Sequence, residues 1–144
     1  MRFENEFEFL SNFSKSEIIL DGIIYPTVEH FFQAMKTKDP IQRAEIAAAP
    51  TPGKAKRLGR HVQLRSDWEE VKVDVMRQGL RLKFQDSKLR TMLLATGDKE
   101  LVEGNTWHDR TWGRCICEKC GGQGENLLGQ LLMELREEIR NENK

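Results

Sequence analysis

This sequence of 144 residues lacks several features that mark specialised protein classes. Its three cysteines lie in one short stretch and do not make a disulfide framework, so a reducing, cytoplasmic setting is expected. No apolar run reaches the roughly 18 residues that a membrane helix needs, and the acidic, interrupted N-terminus does not resemble a secretory signal. The 23 Lys and Arg are balanced by 23 Asp and Glu, so no basic field favours general binding to a nucleic-acid backbone.

Common catalytic signatures are also missing, because the sequence contains no P-loop, GxGxxG or HExxH motif. What remains is the composition of an ordinary globular protein, with 38% hydrophobic and 32% charged residues. The length suits one domain with a substantial core. Composition and periodicity together predict a mainly helical α+β fold with a few short strands, as a single domain over residues 1–144.

The stretch 26–38 carries the clearest pattern in the chain. Thr27 is a good N-cap for a helix. At roughly 100° per residue, an apolar arc of this helix is formed by Val28, Phe31, Phe32 and Met35. Glu29, Gln33 and Lys36 form a polar row beside that arc. The row has two interpretations: a solvated helix edge, or one wall of a site that uses a carboxylate, an amide and an amine.

The other elements follow from caps, turn residues and periodicity. Asp21-Gly22 between β-branched flanks predicts a hairpin of two short strands at 17–20 and 23–25. The segment 3–13 is predicted to be a strand or an aromatic-rich loop, and 101–103 a further short strand. Helices are predicted at 41–49, at 67–84, at 87–95 and from about 125 to 140. A further short helix is predicted to begin just after Thr51, which is its N-cap.

Three further stretches have both a binding and a structural interpretation. Asn12, set between aromatic residues, suits a small-molecule pocket or a turn with packed flanks. The segment 54–60 carries four cations, which suit a phosphate group or a solvated helix face. Trp68, in the first turn of its helix, is a core anchor or a platform for a flat heterocycle. Residues 106–114 are too aromatic and polar for a linker and are predicted to form a site loop.

The cysteines form the pattern Cys115-x-Cys117-x-x-Cys120. A structural zinc site normally uses four protein ligands. His108 is the only nearby candidate for the fourth, and the sequence holds no second CxxC pair. The prediction is therefore reduced thiols in a variable loop, with redox reactivity, and no metal site.

Taken in order, a set of short motifs resembles the NADAR family. Each motif is weak alone, but the ordered set covers nearly the whole chain. The motifs are Leu10-Ser11-Asn12-Phe13, Asp21-Gly22, Tyr25-Pro26-Thr27-Val28-Glu29-His30, Gln33-Ala34-Met35-Lys36, Gly59-Arg60, Asp67-Trp68, Met76 with Lys83-Phe84, Leu93-Leu94-Ala95-Thr96-Gly97, Leu101-Val102-Glu103, Trp112-Gly113, Gly124-Glu125-Asn126-Leu127-Leu128-Gly129 and Leu132-Met133.

The resemblance implies a mainly helical domain that hydrolyses an N-ribosyl bond. The first substrate class it implies is ADP-ribose attached to guanine in nucleic acid, with transient nucleic-acid contact. The second is the ribosylamino-pyrimidine phosphate intermediates of riboflavin synthesis. No cofactor is expected, because the sequence shows no plausible cluster of metal ligands outside the cysteine loop. The catalytic residues it implies are Glu29, Lys36 and Asp109, with Asp98 as an alternative to the last. Trp68 also matches a position where substrate contact is expected. With the residue chemistry considered as well, the predicted substrate-binding residues are Asn12, Phe13, Gln33, Lys54, Arg60, Trp68, Trp112 and Asn126.

These residue types fit the chemistry of ribosyl transfer. The transition state resembles an oxocarbenium ion, which a carboxylate such as Glu29 can stabilise while it moves protons. A lysine with a lowered pKa could attack the sugar and form a Schiff base. The apolar arc beside Lys36 favours a lowered pKa, whereas the charge of Glu29 opposes it, and the sequence leaves the balance open. A non-catalytic module that binds ADP-ribose or a related nucleotide is the remaining alternative.

Overall fold

The computed structural model describes residues 1–142. Within them lie one 3-10 helix, six α-helices and four short strands. In chain order these are the 3-10 helix Asn5–Leu10, β1 Ile18–Leu20, β2 Ile23–Tyr25, α1 Val28–Ala34, α2 Pro40–Ala47, α3 Pro52–Gly59, α4 Trp68–Lys83, α5 Ser87–Ala95, β3 Gly104–Asn105, β4 Arg114–Cys115 and α6 Leu127–Glu142. The predicted fold class, mainly helical with a few short strands, is confirmed.

The elements group into two compact units. One, here called the central unit, is Asn12–Lys83. The other, the terminal unit, combines Met1–Ser11 with the chain from Phe84 onward. No helix within residues 1–142 is long and apolar enough to cross a membrane.

The central unit is built around α1, which packs against α2, α3 and α4. Every residue of α1 is buried, so its polar side chains are enclosed with the apolar ones. The predicted cap is confirmed, because the Thr27 hydroxyl accepts the N–H of His30 at 3.1 Å. Strands β1 and β2 pair antiparallel with Ile19 opposite Ile24, which confirms the predicted hairpin.

His30 ties α1 to the end of α2. Its Nε2 lies 3.0 Å from the carbonyl of Ala49, and its Nδ1 lies 2.8 Å from the Thr27 hydroxyl. Because a carbonyl can only accept, Nε2 carries the proton and Nδ1 accepts from the hydroxyl. Both ring nitrogens of this buried histidine are thus used to hold the helix in place.

The end of α1 differs from the prediction. Because the residue before a proline disfavours the helical conformation, the sequence predicts that the helix capped by Thr27 extends to Asp39-Pro40. In the structure α1 ends at Ala34, and Asp39 instead caps α2 by accepting the N–H of Ile41. Beyond α1 the chain is held by Arg65, whose N–H donates to the carbonyl of Lys36 at 2.7 Å. Lys36 therefore lies in a turn just after the helix.

In the terminal unit, α6 packs against α5. An apolar stripe of α6 is buried, and it consists of Leu128, Leu131, Leu132, Leu135 and Ile139. Arg136, also buried, donates to the Thr96 hydroxyl and to the Lys99 carbonyl, both at 2.9 Å. These bonds hold the end of α5 and the turn after it to α6.

Two predictions in the terminal unit are wrong. Residues Asn5–Leu10 form a 3-10 helix rather than a strand or a loop. The predicted strand at 101–103 is irregular, and the short strand β3 begins at Gly104 and pairs parallel with β4. The reason is that the side chain of Asn126 occupies the Leu101 carbonyl and the Glu103 N–H, which a strand partner would need.

Candidate active site

Lys36 is fixed by its backbone on both sides. Its N–H donates to the Gln33 carbonyl at 3.2 Å, which continues the last turn of α1. Its own carbonyl accepts the N–H of Arg65, and the Arg65 guanidinium binds both carboxylate oxygens of Asp67 at 2.6 and 3.1 Å. The half-buried side chain of Lys36 therefore starts from a well-defined position.

Glu29 and Gln33 form a buried pair on α1, with 8% and 3% of their surface exposed. The Gln33 amide nitrogen donates to Glu29 Oε1 at 2.7 Å. The other amide atom, Gln33 Oε1, is buried without a hydrogen-bond partner in the protein. It lies against Gly59, where an added side chain would clash with it, so glycine at residue 59 leaves room for the Gln33 amide in its observed position between α1 and α3. The solvated helix edge is thus excluded for these two residues.

The pKa of the Lys36 ammonium is lowered from its ordinary value. Burial is the largest cause, and the positive charges of Lys56 and Arg60 lower it further. The carboxylate of Glu29 acts in the opposite direction but does not prevail. The balance that the sequence leaves open therefore falls on the side of a more nucleophilic amine.

The basic segment of α3 divides into two faces. Lys56 and Arg60 are the cations whose charges reach Lys36. They are four residues apart, so they share one side of the helix, whereas Lys54 lies roughly 200° around it from Lys56. Lys56 is thus a further candidate residue of the site, which the sequence prediction missed. The helical spacing from Arg60 was the signal that could have found it.

Trp68 is packed in the core of the central unit. Only 6% of its surface is exposed, and its ring lies 5.0 Å from the ring of Phe32, centroid to centroid. The arrangement fits the core-anchor interpretation. Since Phe32 belongs to the apolar arc of α1, Trp68 supports the helix that carries Glu29 and Gln33.

Asn12 lies at the start of the same helix. Its carbonyl accepts the N–H of Glu29 at 3.1 Å, and its amide nitrogen is 3.4 Å from the sulfur of Met76. Its side-chain oxygen is buried without a hydrogen-bond partner in the protein. The next residue, Phe13, is 48% exposed. Asn12 and Phe13 thus contribute a buried side-chain oxygen and an exposed aromatic ring to the central unit.

The three remaining predicted site residues lie in the terminal unit. Asp109 Oδ1 accepts the N–H groups of Thr111 and Trp112 at 3.1 and 3.0 Å, so the carboxylate shapes the loop. Asp98, the alternative to Asp109, is 96% exposed and pairs with Arg140. Trp112 is half-buried on this loop. Both functional groups of the Asn126 amide bind backbone atoms, which gives that residue a structural role.

Glu103 is an acidic group that the site prediction omitted. Its Oε2 is buried without a hydrogen-bond partner in the protein. Burial, together with the negative charge of Asp109, raises the pKa of this carboxyl to about 7. A carboxyl that titrates near neutral pH is suited to proton transfer. Its only signal in the sequence was an acid placed directly after two apolar residues, Leu101 and Val102.

One group of side chains in residues 1–142 has the composition of a metal site. It consists of His108, Cys115, Cys117 and Cys120, whose ligand atoms all lie within 4.8 Å of one another. All three cysteines are free thiols. The cluster belongs to the terminal unit and includes none of the predicted catalytic residues.

Comparison with known proteins identifies the family. The family model of the NADAR domain matches residues 2–140 and so spans both units. The chain belongs to the NADAR family. The solved NMR structure of YbiA from Escherichia coli covers 99% of the chain and 86% of that protein, with a TM-score of 0.83 and 43% identity. The helical architecture is therefore that of an experimentally determined NADAR structure.

Relatives of this NADAR chain include named enzymes. N-glycosidase YbiA of Escherichia coli is 47% identical over 90% of this chain and 79% of that protein. N-glycosidase Npun_R5314 of Nostoc punctiforme is 44% identical over 91% and 85%. The riboflavin biosynthesis protein VVA0006 of Vibrio vulnificus is 39% identical over 92% of this chain but only 35% of that longer protein. The predicted enzyme class, a hydrolase of N-glycosyl bonds, is confirmed.

Proposed function

We propose that this N-glycosidase removes ADP-ribose from ADP-ribosylated guanine in nucleic acid, with Lys36 as nucleophile and Glu29 as the group that moves protons. The observation that carries the proposal is the lowered pKa of Lys36, held beside a buried carboxylate and two further cations. A lowered pKa increases the fraction of the amine that is unprotonated at a given pH, and only the unprotonated amine can attack carbon.

The reaction begins at the anomeric carbon of the ribose. The lone pair of Lys36 Nζ attacks this carbon, the N-glycosidic bond breaks, and its electron pair leaves with the guanine. Glu29 takes the proton that the amine loses and returns one to the departing base. The ribose ring then opens as its oxygen accepts a second proton, which leaves a Schiff base. Water adds to this imine, releases the sugar and restores the amine.

Lys56 and Arg60 have two roles in this proposal. Their charges lower the pKa of Lys36, and they attract the diphosphate of ADP-ribose. Lys54, predicted from the sequence for phosphate binding, contributes a more distant charge. The net-neutral chain favours recognition of the ADP-ribosyl group over tracking of a long nucleic-acid backbone.

The carboxylate of Glu29 is oriented by its hydrogen bond with Gln33. Gln33 holds one oxygen of Glu29 at 2.7 Å, so the carboxylate is fixed before substrate arrives. The buried oxygens Gln33 Oε1 and Asn12 Oδ1 have no hydrogen-bond partner in the protein. Each is proposed to accept a hydrogen bond from a sugar hydroxyl or a base of the substrate. Phe13 and Trp112 are proposed to contact the rings of the substrate, whereas Trp68, packed against Phe32, supports the helix that carries Glu29 and Gln33.

Asp109 is proposed as a second catalytic carboxylate, in the terminal unit. Its two backbone hydrogen bonds show that it also shapes the loop 106–114. Asp109→Asn retains an oxygen that can accept these N–H groups. A fall in kcat without a matching loss of stability would therefore assign Asp109 to catalysis rather than to loop structure.

The decisive experiment incubates the protein with DNA that carries ADP-ribosylated guanine, with and without borohydride, and reads the products by intact mass spectrometry. The expected result is released ADP-ribose and a reduced adduct on Lys36 that is absent from Lys36→Ala. Lys38→Ala is the matched control, because Lys38 is an exposed lysine two residues further along. Release without an adduct in the wild type would leave the glycosidase standing but reject Lys36 as the nucleophile.

A second substrate class has a specific observation in its favour. VVA0006, which contains a region 39% identical to this chain, is named a riboflavin biosynthesis protein. The same lysine and carboxylate could hydrolyse the N-ribosyl bond of a ribosylamino-pyrimidine phosphate. Turnover of that compound without release of ADP-ribose from DNA would favour this substrate. Binding of ADP-ribose with no turnover of either substrate would identify a non-catalytic module.

A further inference from the structure

The loop after Asp109 brings three thiols to one imidazole. His108 Nδ1 lies 3.4 Å from the sulfur of Cys120, 3.6 Å from that of Cys117 and 3.7 Å from that of Cys115. Cys115 is completely buried, so at least one of these thiols is enclosed by protein. The sequence did not predict a metal site, because three closely spaced cysteines and one nearby histidine, without a second CxxC pair, do not by themselves specify that their ligand atoms meet.

These distances match a tetrahedral zinc site. With Zn–S of about 2.3 Å and Zn–N of about 2.05 Å, tetrahedral angles place the nitrogen about 3.5 to 3.6 Å from each sulfur. The three observed separations lie within about 0.2 Å of that value. All three sulfurs thus lie between 3.4 and 3.7 Å from one imidazole nitrogen, which is the arrangement that a single shared zinc ion requires.

The backbone also has the form of a metal-binding turn. The N–H of Cys120 points at the sulfur of Cys117 at 3.4 Å, which stabilises a thiolate there. The chain then reverses through Gly121 and Gly122, both at positive φ, which returns it beside Cys115. There the N–H of Gly122 donates to the Cys115 carbonyl at 2.7 Å. The turn thus directs all three sulfurs inward.

His108 is placed by a separate device. It adopts a left-handed backbone conformation, with φ of 68°, which is uncommon outside glycine. The buried side chain of Asn105 imposes it: Oδ1 accepts the N–H groups of Trp107 and Asp109, and Nδ2 donates to the Asp109 carbonyl at 2.8 Å. The backbone on both sides of His108 is therefore held, and the ring faces the thiols.

We infer that His108, Cys115, Cys117 and Cys120 form a structural zinc site. Binding displaces three thiol protons and leaves a closed Cys3His centre with a net charge of −1. All four positions are filled by protein, so the ion activates no water and takes no part in the glycosidase reaction. Its effect is to fasten the segment 104–126, which contains Asp109 and Trp112.

The test measures zinc directly. Untagged protein, expressed with zinc in the medium and purified under reducing conditions, is analysed for metal by plasma mass spectrometry. About one zinc per chain is expected, together with the absorption of tetrahedral thiolate-bound cobalt after exchange with Co²⁺. Cys117→Ser and His108→Asn should each bind zinc more weakly, by more than the roughly 10- to 100-fold that an outer-shell substitution costs.

His61→Asn provides the matched control, because His61 is an exposed histidine outside the cluster. It should retain the wild-type zinc content. Zinc that is equally abundant in His108→Asn, Cys117→Ser and wild type would show adventitious binding and overturn the site. So would wild-type protein that keeps its native circular dichroism spectrum but holds less than about a tenth of an equivalent after refolding with excess zinc. A Cys117–Cys120 disulfide in freshly purified, metal-free protein would also reject it.

Discussion

The two units carry their candidate functional residues in different ways. In the central unit, Glu29 and Gln33 project from a helix whose every residue is buried, and Lys36 follows directly in the next turn. In the terminal unit, Asp109 lies on an irregular loop between two very short strands. Helix packing positions the first set, whereas side chains that bind backbone atoms position the second.

The two units differ in whether the residues proposed for catalysis also hold the fold together. In the central unit, the fold depends on the apolar arc and on His30, so Glu29 can be changed without removing what holds the helix. In the terminal unit, Asp109 and Asn126 themselves hold the loop. Substitutions should therefore affect activity and stability separately in one unit and together in the other.

The largest effect on activity without a matching effect on stability is expected for Glu29→Gln. The new amide can still accept the hydrogen bond from Gln33, but it cannot move a proton. We expect kcat to fall about 10²- to 10⁴-fold, the usual contribution of general acid–base catalysis. The free energy of unfolding, measured by urea titration, should change by less than about 1 kcal/mol.

Glu45→Gln is the control for this prediction, because Glu45 is an exposed acid on α2. It should leave both kcat and stability unchanged. A large loss of stability in Glu29→Gln with unchanged kcat would mean that the buried pair is structural, and the separation drawn for the central unit would fail.

Asn126→Ala is expected to have the largest effect on stability. The change removes one buried and one partly buried hydrogen bond, each worth about 1–3 kcal/mol when the backbone partner is left unpaired. It also places alanine at φ of 54°, which costs roughly another 1 kcal/mol. A total loss of about 3 kcal/mol or more is expected in urea titration.

Asn126→Gly distinguishes the two causes, because glycine accepts the positive φ but makes neither side-chain bond. It should be more stable than Asn126→Ala by roughly 1 kcal/mol and still less stable than wild type. Equal stability of all three proteins would show that the loop is held by other contacts.

Glu103 is expected to make stability depend on pH. Its folded pKa of about 7 lies above its ordinary value of 4.5, so the folded state holds this proton more tightly than the unfolded state. Its contribution is fully present below about pH 4.5 and is lost as the pH rises through about 7, by at most about 3 kcal/mol. Glu103→Gln should remove this decline, as thermal unfolding from pH 5 to 8 would reveal. The same decline in the variant would assign it to another group.

The central site could be predicted because helical spacing specifies which side chains share one face of the helix. The Thr27 cap, the apolar arc and the row of Glu29, Gln33 and Lys36 all follow from local sequence. Spacing could not show that Gly59 of α3 packs against Gln33, because this contact depends on packing between two separate helices. The direction of the Lys36 pKa shift has the same origin, since burial is its main cause.

The terminal loop was predicted only as a loop. Its shape depends on Asn105, Asp109 and Asn126, and each binds backbone groups whose position no periodic pattern specifies. The same reason explains the wrong strand at 101–103, where a side chain replaced the strand partner. His108 and the thiols also come together through these contacts, which is why spacing alone did not predict a metal site.

The smallest predicted effect tests helical spacing within one segment. Lys56→Ala removes a positive charge that lowers the pKa of Lys36, so the pH profile of kcat should shift towards higher pH, by a few tenths of a unit. KM should rise about 2- to 5-fold through weaker attraction of phosphate, the range of about 1 kcal/mol or less expected for exposed charges. Lys54→Ala removes the same charge from the other side of α3 and should leave the pH profile in place. Equal shifts for the two variants would mean that the charge of the segment as a whole, rather than the face shared by Lys56 and Arg60, controls the amine.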